Sequence, residues 1–130
     1  MISTVNLDTA ARLDIVCRKG DTFNLSLDFG KAMTDPDVAS GTNNVFVLQV
    51  RETDTATGSP ILSMDSDDDE VNIVDGQKTD SKMNITKAHS SMESVMAGLY
   101  VYDLQETTTN GTVKTLLYGT FKVNEDVTVV

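Results

Sequence analysis

A chain of 130 residues with a net charge of −10 and 39% apolar residues is sized for one domain around one core. The acidic balance opposes nucleic acid or an anionic membrane surface as the main partner, and a single cysteine, Cys17, excludes an intrachain disulfide or a multi-cysteine zinc site. No stretch reaches transmembrane length and the first residues lack the basic-then-apolar order of a signal peptide, so a protein of reducing cytoplasm is expected.

Met1 to Arg12 shows no periodic pattern and reads as an N-terminal arm, with residues 13–130 as a single domain. Leu13 to Arg18 reads as a strand, Lys19-Gly20-Asp21 as a turn, and Thr22 to Phe29 as a half-buried strand. In that strand Phe23, Leu25, Leu27 and Phe29 alternate with Asn24, Ser26 and Asp28. Gly30 to Asn44 is a long connection containing Pro36. Val45 to Arg51 is more continuously apolar, which predicts a central strand covered on both faces.

After a Thr-rich loop from Glu52 to Pro60, Ile61–Met64 and Val71–Val74 flank the acidic run Asp65–Glu70 and predict a hairpin. Asp75-Gly76 begins a polar turn, and Ser81 to Thr86 resumes alternation through Met83 and Ile85. Lys87 to Met96 is the one helical candidate. Thr86 is its expected N-cap, Ala88, Met92 and Val95 or Met96 share a face, and Gly98 closes it.

The strongest local signal is Asn110-Gly111 between Gly98–Glu106 and Val113–Val123, because both central residues of a type I′ turn need positive φ. With those two residues as the turn, Leu104 faces Leu117, Tyr102 faces Gly119 and Tyr100 faces Phe121, all on one side of the ribbon. Asn124 to Val130 either extends the last strand or leaves the domain. Seven or eight such strands with one short helix predict an all-β, immunoglobulin-like antiparallel β-sandwich.

Catalytic and metal chemistry find little to work with. Asp65, Asp67 and Asp69 match the first EF-hand ligand spacings, but Glu70 stands where glycine is needed and Gly76 where the bidentate glutamate is needed. That leaves a solvated loop or a looser calcium site. Cys17 and His89 are one cysteine and one histidine, with Cys17 alternating with Leu13 and Ile15 as a core residue would. Asn24, Asn84 and Asn110 match glycosylation acceptors and are read as chance matches. No enzyme, cofactor, catalytic or metal site is predicted.

The order of motifs is recognisable: Arg18-Lys-Gly-Asp-Thr-Phe23, then Val50-Arg-Glu52, then Ala97-Gly-Leu-Tyr-Val-Tyr-Asp-Leu-Gln105 and Leu117-Tyr-Gly-Thr-Phe-Lys-Val123. From Leu13 to Val123 the chain resembles small tailed-phage virion proteins, similar to the N-terminal domain of phage baseplate upper proteins. The resemblance implies an immunoglobulin-like sandwich used for attachment, with no catalytic residues. The residues end at Val130 without a coiled-coil stalk segment. A tail, baseplate or fibre adaptor, a collar protein or a capsid decoration protein is therefore expected. It would assemble in host cytoplasm and dock on other virion proteins through sheet edge, arm and the Val127–Val130 tail. The alternative is a carbohydrate- or cell-surface-binding module, for which Tyr118 is the one tyrosine expected to point away from the core.

Overall fold

The computed structural model describes residues 10–29, 45–74, 82–108, 110–125 and 127. The arm before Ala10, the Gly30–Asn44 connection, the Asp75-Gly76 turn and most of the C-terminal tail lie outside the described residues.

Among the described residues nine strands and one short helix form two layers, the predicted all-β sandwich. They are β1 (Ala11–Arg12), β2 (Ile15–Arg18), β3 (Phe23–Asp28), β4 (Val45–Arg51), β5 (Leu62–Asp65), β6 (Val71–Val74), β7 (Lys82–Lys87), α1 (His89–Met92), β8 (Gly98–Thr107) and β9 (Val113–Asn124). The larger sheet runs β1-β9-β8-β4-β5, with β2 also on β9; the smaller runs β3-β7-β6. All pairings are antiparallel except those of β1 and β2, which run parallel to β9.

The core fills the space between the layers by strand alternation. Phe46, Leu48 and Val50 of β4 and Tyr102 and Leu104 of β8 face Met83 and Ile85 of β7 and Val71 of β6, all buried. Phe121 is the aromatic centre: Phe23 lies 5.6 Å from it, and Tyr102 meets it edge-on at 6.3 Å. Each such side chain contributes about 1.5–3 kcal/mol through burial.

The terminal ribbon has the expected core register, Tyr100↔Phe121, Tyr102↔Gly119 and Leu104↔Leu117, but reaches it differently. Beyond Leu104 the partners slip to Gln105↔Thr115 and Thr107↔Val113, leaving Leu116 as the extra residue of a bulge. At the tip Thr108 N–H bonds the Thr112 carbonyl, which closes a three-residue loop. Gly111 takes a positive φ there, +88°. The longer loop and the bulge offset one another. Leu116 is buried beside Leu117 because a bulge turns two consecutive residues toward one face.

Four other expectations need correction. Ala11 and Arg12, assigned to the arm, pair with Leu117 and Tyr118, so the sheet begins two residues earlier. Leu13–Arg18 is not one unbroken strand: the ladder stops at Leu13-Asp14, and the Asp14 carboxylate accepts the Thr120 N–H at 3.0 Å in its place. The acidic run does not join a hairpin, since β5 pairs with β4 and β6 with β7, and the turn carries the chain from one sheet to the other. Apolar runs on both sides of a turn cannot tell a hairpin from a crossing between layers. The helix is short as expected, four residues, but it starts at His89 because Lys87 stays in β7, and it ends at its C-cap Glu93 while Gly98 opens β8. Ala88, not Thr86, caps α1, and no side chain takes part. Met92 and Val95 are buried as predicted; Ala88 and Met96 are exposed.

Candidate functional site

β4 is buried on one face only. Val47, Gln49 and Arg51 are half-buried on the other, where full cover was expected. That outer face carries a groove of about 600 Å³.

The floor follows from register. Arg12 of β1 stands beside Tyr118 of β9, Tyr118 beside Asp103 of β8, and Asp103 beside Gln49 of β4. These four side chains form one rung across four strands, on the face opposite the core. The next rung is Thr120, Val101 and Arg51, and Gln105 with Val47 form the one on the other side. The wall beside β4 is the loop after it, with Thr53, Asp54 and Ala56. Arg51 holds that wall: one guanidinium nitrogen donates to the Gly58 carbonyl at 2.7 Å and another to Gln49 Oε1 at 3.1 Å. A lysine, with all its donors on one nitrogen, would not reproduce this spread of two nitrogens onto two acceptors.

The groove pairs opposite charges, Arg12 and Arg51 against Asp103 and Asp54. Burial pushes the Asp103 carboxyl above its ordinary value, against a hydrogen bond from Gln105 and the charge of Arg51. Arg12 Nε sits 3.3 Å from Asp14, whose carboxyl is held below its ordinary value first by the Thr120 hydrogen bonds. Tyr118, 40% exposed, presents an aromatic surface in the middle. Such a site offers donors, acceptors and a flat ring; among the described residues it holds no nucleophile-base pair.

The residues singled out in the sequence lie elsewhere. Of the acidic run, the fold clusters Asp65, Asp68 and Glu70 rather than Asp65, Asp67 and Asp69. Two of these carboxylates, Asp65 and Glu70, already have protein donors. Asp65 accepts the Asp68 amide at 2.8 Å, and Glu70 binds the Lys87 ammonium at 2.6 Å. Lys87 also donates to the Ser63 carbonyl at 2.9 Å, so this contact clasps β7 of the small sheet to β5 of the large one. Cys17 is half-buried, and desolvation pushes its thiol up to about 11, the reverse of an activated nucleophile. His89 is exposed on α1 beside Glu93 at 3.7 Å. The groove was missed in the sequence because its residues come from four strands and carry no spacing motif. The outward position of Tyr118 was the one legible sign.

No protein-family model matches this chain, and no curated protein matches it. Among solved structures it is similar to CopC from Methylosinus trichosporium OB3b, at 10% identity and a TM-score of 0.39, over 93% of this chain and 89% of that one. A likeness at that level carries no argument about what this chain binds.

Proposed function

We propose that the chain is a non-enzymatic structural component of a tailed-phage virion, a small β-sandwich that docks on a larger virion protein. The reading rests on the resemblance, and one observation supports treating its motifs as a unit. Phe23 of the Gly-Asp-Thr-Phe turn and Tyr102 of the Tyr-x-Tyr-Asp-Leu strand both pack on Phe121. Residues far apart in the chain thus converge on one ring as a structural signature does, not as a catalytic one does. Docking would use a sheet edge and the arm. Among the described residues β5, β3 and β6 are outer strands, and an outer strand is where a partner's main chain can add to a sheet. The test is peptide mass spectrometry on gradient-purified particles of the phage whose genome carries this chain. A constant copy number per particle is expected, and absence from intact particles overturns the reading.

A second reading, a carbohydrate- or cell-surface-binding module, is favoured by one specific feature. Tyr118 is exposed at the centre of a groove whose rim is polar. A glycan array checks it: binding that disappears with Tyr118→Ala supports this reading, and no binding to any glycan defeats it.

A further inference from the structure

Resting on the second reading above, we infer that the outer groove binds an uncharged, hydroxyl-rich saccharide laid across Tyr118, with Asp103 and Arg12 as its polar anchors. Three features carry the choice of ligand. The volume, about 600 Å³, falls in the range of small-molecule sites. The lining charges balance, two arginines against two aspartates, so the groove presents no cluster of one sign for an anion or a cation to bind. What remains is a matched set of donors and acceptors around one ring.

A saccharide hydroxyl both donates and accepts, and this lining serves it on both counts. Asp103 accepts; Arg12 donates; Gln49 and Gln105 do either. Arg12 lines the groove with its Nε 3.3 Å from Asp14, and its guanidinium carries further donors beyond that nitrogen. Arg51 is a positioning residue: its nitrogens hold Gly58 and Gln49, and through them the wall and one edge of the floor. The Tyr118 ring supplies an apolar face for the C–H side of a pyranose, its hydroxyl a polar tip.

The test is ¹⁵N NMR titration of the full chain with neutral oligosaccharides and, separately, with a glucuronate-containing oligosaccharide and an Asp/Glu-rich peptide. Shifts confined to amides around Gln49, Val101–Gln105 and Tyr118–Thr120 are expected with a neutral sugar. Tyr118→Ala and Asp103→Asn should each weaken that binding by about tenfold or more, while Lys122→Ala, on the same face outside the lining, leaves it unchanged. Arg51→Lys should weaken binding and also shift the amides of the 52–58 loop in the free protein. Response to the acidic sugar alone would overturn the uncharged class while leaving the carbohydrate reading intact. Response to the peptide alone would make the groove a protein-docking site. Silence toward every probe would remove both.

Discussion

The Tyr102 hydroxyl donates a 2.6 Å hydrogen bond to the Leu13 carbonyl, 89 residues away in the chain. The bond passes over Gly119, the residue opposite Tyr102, where a Cβ would collide with the Leu13 carbonyl oxygen. An aromatic covering a strand glycine explains only half of this pairing. The glycine is required because the backbone between β1 and β2 crosses directly above it.

Gly119→Ala is therefore expected to cost about 1–3 kcal/mol, since backbone, unlike a flexible side-chain end, cannot move aside cheaply. Tyr102→Phe should cost about 1–3 kcal/mol by leaving the Leu13 carbonyl without its donor. Urea denaturation measures both. Amide exchange should show the loss concentrated at residues 11–18; a uniform loss would mean that β1 and β2 are not the elements this contact secures.

Deleting Leu116 removes the bulge and leaves the three-residue loop to set the register alone. Leu104 should still face Leu117 and Tyr100 still face Phe121, with stability lowered by about 2–5 kcal/mol for the lost buried side chain. Cross-strand NOEs settle the outcome. A ribbon slipped by one residue would place Tyr100 and Tyr102 on the outer face and refute the compensation between loop and bulge.

Lys87→Ala breaks the clasp between sheets, removing the ammonium donor from the Ser63 carbonyl and the cation from the Glu70 carboxylate. The pair is mostly but not fully buried, so a loss of about 1–3 kcal/mol is expected. Replacing both partners, Glu70→Leu with Lys87→Met, should recover part of it. A double-mutant cycle by chemical denaturation makes the comparison.

Asp103 gives a pH dependence of definite sign. Its native carboxyl holds a proton more tightly than the unfolded one, because half-burial disfavours the charge. Its contribution to stability is thus most favourable below the ordinary carboxyl range and declines as pH rises through the raised native value. Asp103→Asn cannot ionise. The stability difference between variant and native chain should grow in the variant's favour from pH 3 to pH 7, as thermal melts at matched ionic strength will reveal. A flat difference would place the carboxylate in full solvent.

Period-two alternation was enough to reveal β3, β7, β8 and β9 and the side of each that meets the core, because a pleated strand must send neighbouring side chains to opposite faces. The continuous apolar run of β4 instead hid which of its faces is open. The Asn-Gly step marked where the ribbon turns, and with it the pairing of Tyr102 with Gly119. Partners distant in sequence were not available to such local rules. That β5 and β6 belong to different layers, that Lys87 stays extended instead of starting a helix, and that β1 and β2 join β9 in parallel each depend on long-range pairing. The groove is the extreme case. Arg12, Gln49, Asp103 and Tyr118 have no spacing in common and become neighbours only when four strands align, so their chemistry belongs to the sheet and not to any one segment.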